Sequence, residues 1–399
     1  MFKGMKKLKS FGLRYGATIA LYVVVGITLL ILYVYGSRRF LPGLSSAEIE
    51  MVKDSSSLSN IINNPLWLPY KLIGLLFHSL KFSAETYRFI SAGMVMAAVY
   101  AFNSLCRIWY RPRVAALTTA LFALSSTTLT LARVATPAVL LYTWLFLAAA
   151  VLWFRQTRRV RLAPVGVLVL LAFALYIPGA VWFMVLLAIW FWRDVPRYFK
   201  DMKRWAIGAG ALGAILVCAP LVYAFVHDGH LLTAWLLLPS SYDLNTSLTA
   251  LRDIPAAFFY RSTPASSAYG LGSLPLLDAF SGTMLLIGLY AYRKSLKLER
   301  TVIYSCAAIV SIVLTTLSAN QLYLFMLLPF TYLLAGNGMA YLMEEWRGVF
   351  PRNPLARIVG TTILSIAVLS ACLYHMNRFY VAWQNNPSVK QIYSQHYKP

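Results

Sequence analysis

The sequence predicts an all-α polytopic membrane protein of about eleven transmembrane helices, with its amino end inside and its carboxyl end outside. Three observations predict it. Of 399 residues, 59% are apolar and 12% charged, where a soluble domain carries about a quarter charged residues. Apolar runs of about 20 residues, long enough to cross a bilayer, recur from end to end. Lys and Arg sort by side, with 24 on the cytoplasmic segments and 12 outside, which is the positive-inside bias. That sorting accounts for the net charge of +23 through anionic lipid headgroups, and it argues against a nucleic-acid partner.

The elements follow in order. A basic head with Lys3, Lys6, Lys7, Lys9 and Arg14 precedes the first span, Ala17 to Gly36. This run is longer than a signal h-region, and no clear small-x-small site follows it. Residues 37–87 form a long outer loop. It holds a helix over Ala47 to Ile62, a break at Asn63-Asn64-Pro65, and a short apolar helix over Leu66 to Leu80. With Lys71 and His78 inside it and Trp67 and Tyr70 near its start, that helix suits the membrane interface better than a span. Span two is Arg88 to Leu105, and span three is Val114 to Leu131, ending at Arg133. Span four opens at Thr136-Pro137, where proline's missing N–H costs least. Spans five, Leu162 to Tyr176, and six, Val181 to Trp192, are joined by the tight Ile177-Pro178-Gly179. Span seven is Trp205 to Val226. A second outer loop covers 227–274. Spans eight to eleven are Leu276 to Tyr292, Thr301 to Leu317, Leu322 to Met343 and Ile358 to Tyr374. Residues 1–376 make one transmembrane domain, and 377–399 an extracytoplasmic tail. No internal repeat of the transporter kind is visible.

Cys106, Cys218, Cys306 and Cys372 fall in or beside apolar runs without a CxxC, so they read as packing residues. The 36 Trp and Tyr residues fall mostly at span ends and read as an interface belt.

The candidate site lies after the first span, at Leu41-Pro42-Gly43-Leu44-Ser45-Ser46-Ala47-Glu48-Ile49-Glu50. Glu48 and Glu50 are two apart, so on a helix they do not share a face. A carboxylate at a membrane surface against an apolar wall suits a general base. The same spacing also describes a solvated helix start, where acids complement the dipole. Arg133 is a lone outer arginine, able to hold a phosphate by paired N–H donors or to snorkel to headgroups. Arg88 opens span two on the same side, with Glu85 one turn away. His227-Asp228-Gly229-His230 is too loose a set for metal. Asp278 reads as a helix cap. There is no P-loop, GxGxxG, GxSxG or HExxH.

These features together resemble the GT-C membrane glycosyltransferases, the group of protein O-mannosyltransferases and aminoarabinose transferases. The likeness rests on the basic head, one span, and a long outer loop opening Gly43-Leu44-Ser45-x-x-Glu48. It also rests on the run Ala132-Arg133-Val134-Ala135-Thr136-Pro137-Ala138-Val139-Leu140-Leu141. Leu175-Tyr176-Ile177-Pro178-Gly179, Ala219-Pro220-Leu221 and Leu274-Pro275-Leu276-Leu277-Asp278 extend it along most of the chain. The resemblance implies transfer of a sugar from a polyprenyl-phosphate donor to an acceptor on the extracytoplasmic face of the cell membrane. Glu48 or Glu50 would be the base, Arg133 and Arg88 the donor-phosphate ligands, and membrane lipids the surroundings. A divalent metal is compatible with this chemistry, but no residue set specifies one. The sequence departs from the family pattern at Ala47, where the pair's Asp would stand, and at Ala138, where an acid follows the proline. These two departures favour a non-catalytic scaffold as an alternative. A transporter or flippase of lipid-linked sugars is a further alternative, opposed by spans whose middles carry almost no ionisable residue.

Overall fold

The computed structural model describes residues 16, 20–36, 40–157, 163–193, 204–239, 243–261, 268–271 and 274–397. The basic head, Arg158 to Arg161, most of the loop between Arg193 and Arg204, and the Ser262 stretch lie outside them. Among the described residues every regular element is helical, and one isolated bridge joins Leu44 to Gln395.

The helices are α1 (Ala20–Val34), α2 (Ser46–Asp54), α3 (Leu58–Asn63), α4 (Leu68–Ser79), α5 (Arg88–Trp109), α6 (Pro112–Ala123) and α7 (Ser126–Arg133). They continue as α8 (Thr143–Thr157), α9 (Ala163–Ala174), α10 (Ala180–Phe191), α11 (Arg204–His227), α12 (Gly229–Leu236) and α13 (Leu244–Phe259). The last are α14 (Ala279–Tyr292), α15 (Glu299–Ser318), α16 (Leu328–Val349), α17 (Pro354–Asn377) and α18 (Pro387–Ile392). Five helical stretches are long and apolar enough to cross a membrane: Ala84–Trp109, Arg204–His227, Glu299–Ser318, Gln321–Val349 and Pro354–Trp383. The bent pair α6 and α7 makes six if it counts as one span. This is the architecture of a helical membrane protein.

The remaining apolar runs form shorter helices, and local chemistry shows why. Asp278 caps α14 and delays its start to Ala279. Pro137 opens a 3₁₀ turn, Pro137–Leu141, ahead of α8. The predicted third span breaks at Leu124-Ser125, where the Ser125 hydroxyl accepts from Thr128 N–H and starts a new helix at 54° to the first. Gly179, at φ +77°, makes the turn between α9 and α10. The closest helix pair is α14 with α16. A Cβ on Gly288 would stand 1.9 Å from the Leu334 carbonyl oxygen, and one on Gly338 would stand 2.0 Å from that of Met284. Small residues at facing positions let the two backbones touch.

The first loop folds against itself and against the bundle. The expected helix over Ala47 to Ile62 is two pieces, α2 and α3, split where Ser55 Oγ returns to the Met51 carbonyl. Lys71 and Tyr70 on α4 are fully buried. Lys71 Nζ donates to Asp54 Oδ2 and to the Asn64 carbonyl, both at 2.7 Å, tying α4 to α2 and to the end of α3. Burial pulls the Lys71 ammonium below its usual range, and Asp54 pulls it partly back. Tyr70 donates to the Tyr87 carbonyl. Many of the tyrosines read as an interface belt are likewise core: Tyr142, Tyr176, Tyr304 and Tyr332 are enclosed.

The tail also folds in. A π-helical turn, Arg378–Trp383, follows α17, and Trp383, Val389 and Tyr393 are buried. The Tyr393 hydroxyl donates to the Ala268 carbonyl, and the Leu44–Gln395 bridge pairs the tail with the start of the first loop.

Candidate functional site

Ser45-Ser46-Ala47-Glu48 is a capping box. Ser45 Oγ accepts from Glu48 N–H at 3.3 Å, and Glu48 Oε2 accepts from Ser45 N–H at 2.9 Å. Glu48 then does more than cap α2. Arg88, the first residue of α5, donates through Nε to Oε1 at 2.9 Å and through Nη2 to Oε2 at 3.1 Å. The backbone N–H of Ala135, just beyond α7, donates to Oε1 at 2.8 Å. Arg88 Nη2 also reaches the Gly43 carbonyl at 2.7 Å. Both side chains are sealed from solvent, Glu48 at 0% and Arg88 at 1% exposure.

One carboxylate therefore joins three segments remote in sequence: the turn into α2, the start of α5 and the chain leaving α7. Its two oxygens hold about as many donors as a carboxylate has lone-pair sites. Glu50 is on the exposed side of α2, as the two-residue spacing requires. Ala47 is exposed and Ala138 buried.

Arg133 ends α7 and is 1% exposed, so it does not snorkel. Among the described residues none stands within ordinary hydrogen-bond distance of its Nε, Nη1 or Nη2. The guanidinium carbon stands 5.8 Å from the Phe40 ring centre and 5.4 Å from that of Phe379, in the π-helical turn. The Tyr380 hydroxyl lies beside the guanidinium and favours its charge, both by proximity and as a long hydrogen-bond acceptor, while it donates to the Leu32 carbonyl. Arg88 is near enough to oppose the charge. An exposed-site cation–π contact gives roughly 0.5–1 kcal/mol, and up to about 2 when desolvated. Burying an unpaired ion costs several kcal/mol even after relaxation. The two rings do not close that gap.

The structure thus brings Glu48, Arg88 and the end of α7 together, with the acid paired to Arg88 rather than to Arg133. Neither Glu48 nor Arg133 faces open solvent. His227 Nδ1 contacts the Tyr223 carbonyl, and Asp228 caps α12 by accepting from His230 N–H. Among the described residues no three His, Cys, Asp or Glu side chains converge.

Sequence reading missed one polar cluster. His375 on α17 is fully buried; its Nε2 lies 3.0 Å from Asp278 Oδ1 and its Nδ1 lies 3.3 Å from Ser126 Oγ. Asp278 caps α14, as expected, through Oδ2. Arg378, one turn beyond His375, donates to the carbonyls of Pro275 and Leu274. The cluster ties the chain before α14 to α17 and to the bend between α6 and α7. Partners 97 and 249 positions from His375 leave no local signature. Asp278→Asn is expected to loosen this tie and lower stability in chemical unfolding in detergent by about 1–2 kcal/mol; wild-type stability in the variant contradicts the assignment.

Comparison with protein-family models, curated proteins and solved structures finds no match for this chain. Among the described residues, fold and site define a class: a helical chain with five or six candidate membrane spans, an enclosed Glu48–Arg88 clamp, and beside it a buried arginine without a short hydrogen bond.

Proposed function

We propose that the protein is a multi-pass cell-membrane glycosyltransferase of GT-C type that takes its sugar from a polyprenyl-phosphate donor and works on the extracytoplasmic face. The observation that carries this reading is Arg133, whose three guanidinium nitrogens are buried and, among the described residues, have no carboxylate and no short hydrogen bond to hold them. A lipid monophosphate supplies what it lacks: paired acceptor oxygens, and a tail that accepts apolar surroundings. The eleven-span topology belongs to the same proposal. The bent pair, the five long helices and the five shorter apolar helices follow the expected runs one for one.

In the proposed reaction the bond from the sugar's anomeric carbon to the phosphate oxygen breaks, and the acceptor hydroxyl forms the new one. Arg133 stabilises the charge left on the polyprenyl phosphate. The acceptor's proton goes to Glu48. Glu48 must first release a donor. The Ala135 N–H belongs to the segment carrying Arg133, so donor binding and release of the carboxylate share one piece of backbone. Arg88 acts on this reading by holding Glu48 rather than by binding phosphate.

A second reading has its own observation. The saturation of Glu48 favours a scaffold that binds the lipid phosphate without transfer. Proteoliposomes loaded with polyprenyl-phosphate hexose separate the two. Release of free polyprenyl phosphate with sugar moved to an acceptor, lost in Arg133→Met, supports the enzyme. Binding of the lipid without turnover supports the scaffold, and no interaction with the lipid removes both.

A further inference from the structure

At the opposite end of the bent pair from Arg133, three arginines surround a second kind of site. Arg111 immediately precedes α6, Arg113 lies in its first turn and Arg347 in the last turn of α16. They rim a cavity of about 250 Å³ between α6, α16 and α17, with an apolar wall that includes Val114, Met343 and Leu364. Arg111 and Arg113 are exposed and Arg347 is half-buried. Among the described residues no hydrogen bond or ion pair holds any of the three side chains. Arg347 feels the repulsion of Arg111, Arg357 and Arg113, while Glu344 opposes it. Arg357 itself donates to the Pro351 carbonyl.

Like charges gathered round a hollow repel unless something of opposite sign fills it. Charges that merely obey the positive-inside bias spread along a helix end into water. These three converge on one hollow instead, and an apolar wall lies beneath them. The volume falls below the ~300–1,000 Å³ of sites that enclose a drug-sized ligand, so it suits a headgroup rather than a whole lipid. With Arg357 nearby and Glu344 opposing, four arginines against one carboxylate leave an excess of three positive charges, which favours a headgroup bearing one or two phosphates. Basic pockets between membrane helices on the cytoplasmic side recognise such headgroups. With the amino end inside, this is the cytoplasmic end.

From this convergence we infer that Arg111, Arg113 and Arg347 form a binding site for the phosphate headgroup of an anionic phospholipid, whose acyl chains run down the wall of Val114, Met343 and Leu364. The bound headgroup neutralises the repulsion and clamps α6 to α16 and α17. The site is independent of the polyprenyl-phosphate reading, because it uses none of the residues around Arg133.

The test is native mass spectrometry of the full chain in detergent, with diphosphatidylglycerol, phosphatidylglycerol, phosphatidylcholine or inorganic phosphate added in turn. The inference predicts retained anionic lipid, little phosphatidylcholine, and no competition from millimolar inorganic phosphate. Replacing all three arginines with glutamine is expected to weaken retention at least tenfold, and Arg347→Gln alone several-fold. The single variant guards against misfolding of the triple one. Arg133→Met keeps this lipid. Equal retention by wild type and Arg347→Gln, equal binding of phosphatidylcholine, or displacement by free phosphate overturns the inference. Displacement would mark a soluble anion as the ligand.

Discussion

Glu48→Ala is expected to cost the fold about 3–5 kcal/mol, because it strands the Arg88 guanidinium in a sealed interior. Glu48→Gln is expected to lose nearly as much, since an amide N–H₂ then faces Arg88 where an oxygen was. The loss also unpins Ala135 N–H and one member of the capping box, whose removal alone costs ~1 kcal/mol. A double replacement, Glu48→Leu with Arg88→Met, recovers much of the stability, because two apolar side chains leave no buried charge behind. Chemical unfolding in detergent measures each variant. Wild-type stability in Glu48→Gln would show that the clamp does not hold the fold, and would return Glu48 to the role of a free acid.

Arg133→Met is expected to change stability in the other direction. Removing an unpaired buried guanidinium and filling its space with an unbranched apolar chain should stabilise the lipid-free protein by about 1–4 kcal/mol. Few core arginines behave so, and the sign is the diagnostic. A residue kept at such a cost is the mark of a site where stability is traded for binding. A destabilised Arg133→Met protein without ligand would mean that the arginine is satisfied by its neighbours, and the case for an anion would fall.

These two arginines also show how far the sequence could be read. Hydropathy and charge placed the apolar runs, since a run of membrane-crossing length depends on local composition alone. The capping box at Ser45 and Glu48 is local too, and so is the cap at Asp278. What local pattern could not show is that Glu48 is buried. That follows from Arg88, 40 residues on, and from a backbone amide 87 residues on. Reading Arg133 as a headgroup contact failed for the same reason: Phe40 and Phe379 enclose it from opposite ends of the chain. The sequence set residues 377–399 apart as an extracytoplasmic tail, yet Phe379, Trp383 and Tyr393 are core. Lys71 gave no sign in the sequence of its partner Asp54, 17 residues before it, which makes it an internal tie.

The measurement that bears most directly on the central claim is retention of a polyprenyl monophosphate by the purified full chain, compared between wild type and Arg133→Met by native mass spectrometry. The account predicts one lipid held by the wild type and at least tenfold weaker retention by the variant, with polyprenol lacking the phosphate held by neither. Equal retention of the phosphate by both proteins would contradict it.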